Sequence, residues 1–356
     1  MWKFESESQG AFKIKFCNSG KYMAASCTLA NGKTIIKIFD VEDGCLQIIL
    51  RGHNDLVHDI CWSWDDRYLV TASADGSVRV WNMEDKETQH TDKLNYMAVD
   101  NDRMFFICEL YHPSYVYGAK IHPARDDSTL FIATACFDQK VRIWSVNIEY
   151  GQGDCLDEVS INQKAAMTLG TKKSIYEYEE NLEDETLRLI MNPQDTPDDI
   201  KNQYSPTKST AGNSTEREKA INKGYKNLME KKHPNALVFD NDGRLFVGDS
   251  HGQINVWRVY VDPTQSTKNM VKIADHFLIK HKEIEGDQIN ELIMHPESKN
   301  QLYVHSRDNC IRLIDYETSR GTRIKKRFFG SKCSNYMIQS TLSPDGQFLV
   351  SGSETG

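Results

Sequence analysis

Three side chains near the N-terminal end of the chain have the types of a hydrolytic relay. Ser73 could supply a hydroxyl nucleophile, His53 a general base, and Asp75 the carboxylate that orients it. The spacing argues against that use. The phrase that holds two of them, TASADGSVRVW from Thr71 to Trp81, returns as TACFDQKVRIW ending at Trp144 and as GDSHGQINVW ending at Trp257. His112, Asp138 and Trp144 repeat the set with Cys136 in the serine position. Trp257 keeps the indole, with His251 where the aspartate would stand. Asp308, in HSRDNCIRLID, keeps the carboxylate with Ile314 in the tryptophan position. A group copied with losses along a chain reads as a structural unit rather than a reaction centre.

No other constellation offers chemistry. There is no glycine-rich phosphate loop, no Gly-x-Ser-x-Gly elbow and no metal-spaced set of His, Cys and Asp. We therefore expect no catalytic residue, no cofactor and no metal. The nine cysteines include no Cys-x-x-Cys pair, so they read as reduced thiols, most of them small buried hydrophobes like Cys61 and Cys136. The formal net charge of -8, with acids and bases interspersed, gives no clustered lysine and arginine for a nucleic acid. No apolar run approaches the roughly 18 residues that span a bilayer, so no direct membrane insertion is expected. The opening MWKFESESQG lacks the apolar core of a secretory signal.

The elements that must position the repeated residues are strands. Leu69 to Ser73 is apolar and small, Asp75-Gly76 is a tight-turn pair, and Ser77 to Trp81 alternates. Upstream, Val57 to Trp62 alternates as a further strand. One such sheet cannot cover its own faces, whereas several stacked around an axis can. His53, Ser73, Asp75 and Trp81 resemble the Trp-Asp repeat of β-propellers. The resemblance implies a buried chain of hydrogen bonds in which His53 bridges Asp75 and Ser73, and Ser73 reaches the Trp81 indole.

The expected architecture is an all-β WD-repeat propeller with blades at about 10–50, 54–110, 112–150, 233–262 and 287–330, and a sixth beginning near MIQSTLSPDGQFLVSGSETG. That divides the chain into blades one to three (1–150), an insertion (151–232), and blades four, five and the start of six (233–356). The insertion is rich in Asp, Asn, Ser, Thr and Pro, and is expected to be mostly disordered. It holds Thr196-Pro197 and Ser205-Pro206, candidate phosphorylation sites, and a capping-box spacing at Thr215 and Glu218. Arg323 to Phe329, RIKKRFF, reads as a solvated strand or inter-blade loop. The resemblance implies seven blades, of which about five and a half are expected here, as an open arc with exposed apolar sheet faces at the gap. Trp2 to Phe4 could supply a closing strand.

Less generic stretches narrow the resemblance. YHPSYVYGAKIHPA, GDSHGQINVWRVYV, KEIEGDQINELIMHP and RFFGSKCSNYMIQSTLSPDGQFLVSGSETG are similar, in this order, to the jouberin family of ciliary WD-repeat scaffolds. The likeness covers most of 45–150 and 233–356. It implies a non-enzymatic adaptor in the cytoplasm and cytoskeleton, at the ciliary basal body and transition zone, with nephrocystin-type proteins as partners. This chain shows neither the Src-homology-3 domain nor the coiled coil of longer jouberins. A WD-repeat adaptor of another kind, such as a ubiquitin-ligase substrate receptor or a coat subunit, remains the alternative. In propellers, partners commonly meet the mouth of the central channel. At that level the candidates are Tyr115, Tyr117 and Phe137, with His251 and Arg307 in later blades.

Overall fold

In a computed structural model the residues from Tyr68 to Asn82 form the hairpin that their alternation requires. The structure describes residues 11–84, 105–162, 231–265, 270–316, 321–343 and 346–355. Thr196, Ser205, the Thr215–Glu218 spacing and Trp2 to Phe4 lie outside these. At the hairpin tip Gly76 adopts φ +80°, and a Cβ there would stand 3.1 Å from the His112 carbonyl oxygen, so the turn needs glycine twice over.

Among the described residues the strands make five four-stranded antiparallel sheets and one two-stranded sheet, each in chain order. Blade one is β1 (Ala11–Phe16), β2 (Tyr22–Thr28), β3 (Thr34–Asp40) and β4 (Leu46–Leu50). Blade two is β5 (Val57–Trp62), β6 (Tyr68–Ser73), β7 (Ser77–Asn82) and β8 (Phe106–Tyr111). Blade three is β9 (Val116–Ile121), β10 (Thr129–Cys136), β11 (Lys140–Asn147) and β12 (Gln152–Ser160). Blade four is β13 (Pro234–Phe239), β14 (Arg244–Asp249), β15 (Ile254–Val261) and β16 (Val271–Ile279). Blade five is β17 (Ile289–Met294), β18 (Gln301–Ser306), β19 (Cys310–Asp315) and β20 (Arg323–Phe329). The sixth sheet is β21 (Ser340–Leu342) with β22 (Leu349–Ser351).

Two boundaries differ from the sequence expectation. Blade three does not end at 150, and blade four does not end at 262, because each has an outer strand beyond that point. β12 is mostly polar and partly exposed, so by composition it blends into the insertion. It is held by cross-strand charge: Glu158 lies opposite Arg142, with Arg142 Nε 3.1 Å from its carboxylate and Lys140 Nζ 2.7 Å away.

The core lies between blades. Ile36 and Ile38 of blade one pack with Ile60, Leu69 and Trp81 of blade two. Val70, Val80 and Leu110 of blade two pack with Ile132 and Trp144 of blade three. Ala133 and Ile143 meet Leu237, Val247 and Trp257. Phe246 and Val256 meet Ile289, Val304 and Ile314. In each case the residue in the tryptophan position fills the space against the preceding blade. Phe39, which holds that position in blade one, packs in a cluster drawn from blade one alone. Ile14 and Phe16 on β1 are each 51% exposed.

The first strands of successive blades pack on one another from β1 through β17 to β21. Each of β1, β5, β9, β13 and β17 has a bulge at the same register, one residue into the strand. The bulged residues are Phe12, His58, Tyr117, Asn235 and Asn290.

Candidate protein-binding site at the propeller axis

The repeated polar residues assemble in blade two, with one change of member. His53 Nδ1 lies 2.9 Å from Asp75 Oδ2, and its Nε2 lies 2.8 Å from the hydroxyl of Thr71, not of Ser73. The Trp81 indole N–H donates to the same Thr71 oxygen at 3.0 Å. Ser73 instead donates to the Asp55 carbonyl and accepts from the Asp75 N–H. Thr71 and Ser73 are two apart on one strand face, so alternation does not separate them. The pairing register does, because Thr71 lies opposite Arg79 and diagonal to Trp81. His53 is 2% exposed and Thr71 and Ser73 are fully buried, so the three relay-type residues form no accessible nucleophile. Burial alone would raise the Asp75 pKa. Hydrogen bonds from His53, Ser77 and the Asn54 N–H, with the His53 charge, outweigh it and hold the carboxyl well below the usual range.

Blade three keeps three of the four parts. His112 Nε2 lies 2.8 Å from the Thr134 hydroxyl, which accepts from the Trp144 indole at 3.0 Å. Thr134, not the position of Cys136, provides the hydroxyl, and the Cys136 thiol turns to the Ser114 carbonyl. Asp138 does not meet His112. It forms a two-pronged pair with Arg142, at 3.2 and 2.5 Å, while His112 Nδ1 sits 3.1 Å from the Leu110 carbonyl. Burial, with Arg142 nearby, pushes the His112 pKa down to about 4. In blade five Asp308 likewise pairs with Arg312 and accepts from Ser306. Val247 and Val304 stand in the threonine register of blades four and five, and Trp257 stacks on His276 instead.

Inside this frame the first strands bring a charge cluster to the axis. Lys13 Nζ lies 3.4 Å from Asp59 and 3.2 Å from Glu291, linking blades one, two and five. Lys120 of blade three also pairs with Asp59, which accepts from the Ala119 N–H at 3.1 Å. Burial alone would raise the Asp59 pKa, but Lys120 and Lys13 hold it below the ordinary value. Lys15 opens to solvent yet stands among protein and beside Lys120 and Lys13. Desolvation and these two charges lower its pKa.

The bulged rings of blades one to three lie side by side. The His58 ring is 6.0 Å from Phe12 and 5.2 Å from Tyr117, and Tyr117 stacks on His233 at 5.8 Å. Burial lowers the His58 pKa more than Asp55 and Asp59 raise it. Of the three aromatics expected at the mouth, Tyr115 is 38% exposed and Tyr117 is half-buried. Phe137 is 5% exposed and packs edge-on against His233 at 4.8 Å, so it supports the patch from beneath. Arg307 is not free to meet a partner. Its guanidinium donates to the Ser334 and Asn335 carbonyls and to Gln288, tying the sixth sheet to blade five. His251 is half-buried, with Nδ1 2.9 Å from the Ser250 hydroxyl. Of the bulged residues only Tyr117 was picked out from the sequence, and the axial charges were not. The one available signal was Asp59, a lone acid within an apolar strand.

Sheets of four stacked around a charged axis, with the Asp–His–Thr–Trp chain in blade two, define a WD-repeat β-propeller. The family pattern described as WD domain, G-beta repeat matches residues 44–82. Jouberin of Rattus norvegicus is 26% identical over 357 residues, covering 100% of this chain, and jouberin of Mus musculus matches equally. The chain spans 25% of the length of these curated relatives. Among solved structures, the β-propeller domain of Myceliophteria thermophila Cps50 (Swd1) superposes with a TM-score of 0.52 at 16% identity, over 96% of this chain and 79% of that one.

Proposed function

We propose that this chain is the propeller of a jouberin-like scaffold acting at the ciliary basal body and transition zone in support of cilium assembly. The observation that carries the reading is a likeness to jouberin that runs through the full length of the chain, not one repeat. Its partners would be proteins, with nephrocystin-type transition-zone proteins as the first candidates, bound without cofactor or catalysis. Tyr115 and Tyr117 supply a contact area of low entropic cost above the buried Phe137. The axial charges are paired with one another, which suits a rigid support better than a site for an ionic ligand.

The test is the position of the tagged full-length gene product in ciliated cells. A focus at the ciliary base that weakens on Tyr115→Ala with Tyr117→Ala supports the reading. A diffuse cytosolic signal, or co-assembly with a ubiquitin ligase or a vesicle coat, favours a WD-repeat adaptor of another kind.

A further inference from the structure

Away from the axis, a cavity of about 180 Å³ lies where β11 and β12 of blade three meet the outer strand of blade four. Its lining follows from the strand register. Ile143 on β11 faces blade four and packs with Leu237 and Trp257. Ser145 and Asn147 continue that face at a spacing of two, but they are polar, so the apolar packing stops there. Opposite them on β12 stand Asp154 and Gln152. Met270, just before β16, lines the cavity from blade four, and Tyr150 lines it from the turn between β11 and β12. That turn is fixed. The Asn147 side-chain oxygen accepts from the Tyr150 N–H at 3.0 Å. Gly151 adopts φ +62°, and a Cβ there would stand 2.8 Å from the Ile107 carbonyl oxygen, so the turn admits only glycine. The Tyr150 ring is thereby held out of the packing, 75% exposed.

The chemistry of the lining selects a ligand. Glu158, on the same strand, is taken up by Lys140 and Arg142. Among the described residues Asp154 pairs with no cation, and its carboxylate accepts from the Gln152 amide nitrogen at 3.3 and 3.4 Å. The Gln152 amide oxygen stands beside it as a further acceptor. A carboxylate next to an open aromatic face calls for a cation that also stacks. An ammonium is a compact, strongly hydrated charge, whereas a guanidinium is planar, carries several N–H donors and lies flat on a ring. Met270 offers apolar surface to the aliphatic stem of such a side chain. A metal ion fits worse, because no group of three or more His, Cys, Asp or Glu side chains gathers here among the described residues. We infer that this cavity receives an arginine side chain of a partner protein, its guanidinium paired with Asp154 and stacked on Tyr150. The contact is separate from the mouth and does not depend on the reading of the mouth.

Saturation-transfer NMR on the purified chain tests it, with N-acetylarginine methylamide as the probe and the citrulline and lysine analogues beside it. The arginine probe gives a saturable signal with a Kd of roughly millimolar order. Citrulline, which keeps the shape without the charge, and lysine, which keeps the charge without the plane, both bind more weakly. Asp154→Asn and Tyr150→Ala change exposed positions and leave Tm unchanged, and each weakens arginine binding by about two- to fivefold. Glu297→Gln, an exposed acid on blade five, leaves it as it was. Absence of a saturable signal, equal binding of arginine and citrulline, or full binding by Asp154→Asn overturns the proposal. Equal binding of lysine overturns the guanidinium assignment, and an equal loss in Glu297→Gln shows attraction to net charge alone and overturns the site. The probe is not ciliary and the variants spare Tyr115 and Tyr117, so failure here leaves the scaffold reading standing, and a diffuse signal in cells leaves this site standing.

Discussion

Thr71 joins two buried side chains, His53 and the Trp81 indole, whereas Ser73 meets only backbone groups. Replacing Thr71 with valine keeps the shape but strands His53 Nε2 and the Trp81 indole in a sealed interface. We expect a loss of about 2–3 kcal/mol for Thr71→Val and about 1 kcal/mol for Ser73→Ala, read from urea unfolding at pH 7. Equal losses would contradict the assignment. His112 gives a pH signature of its own. Its folded pKa of about 4 lies below the usual 6.5, so the unfolded chain takes the proton first. The His112 contribution is complete above pH 6.5 and is lost as pH falls from 6.5 toward 4, amounting to about 3 kcal/mol. The His112→Gln variant should show a flatter stability profile over that window, and an unchanged slope would refute the assignment. Asp75 acts lower still, its depressed pKa removing stability only as pH falls below the ordinary carboxylate range. At this scale the sequence exposed the residue types, but it missed the Thr71 hydroxyl and counted Asp138 and Asp308 in the polar chain, where each instead pairs with an arginine.

The hairpins were legible because Asp-Gly turns and strict alternation leave few other options. The bulges were not. A bulge inserts one residue that breaks the alternation without changing composition, so Asn235 and Asn290 look like ordinary polar strand residues. The outer strands were hidden for a different reason: solvated edges such as β12 are polar, and composition does not distinguish them from the segment that follows. The first strands carry the largest electrostatic stake. Asp59 pairs with two lysines and accepts from the Ile60 and Ala119 N–H groups inside the axis, so Asp59→Ala leaves Lys13 and Lys120 buried with a single acid between them. We expect about 3–5 kcal/mol of destabilisation. Glu158→Ala, on the solvated edge, should cost less than about 1 kcal/mol. Comparable chemical-denaturation midpoints for the two variants would contradict the buried network.

Across the whole molecule the sixth sheet is tied to blade five by Arg307, while β1 leaves Ile14 and Phe16 half-exposed. On the sixth sheet Phe348 is 66% and Val350 60% exposed. Surfaces of this kind associate. Sedimentation of residues 1–356 should show concentration-dependent self-association that Ile14→Lys with Phe16→Lys reduces, and a monomer at all concentrations would count against it. The succession of blades followed from counting repeats. Its mouth did not, because a site shared by five strands far apart in sequence emerges only when the strands are stacked. The proposed recruitment of protein partners by this mouth at the base of the cilium has a direct readout in cells. Proximity labelling from the full-length gene product, with and without Tyr115→Ala and Tyr117→Ala, tests it most directly. The account predicts enrichment of transition-zone proteins with the native mouth and loss of that enrichment in the double variant, at equal expression. The same labelled set from both, or a set without ciliary proteins, would contradict it.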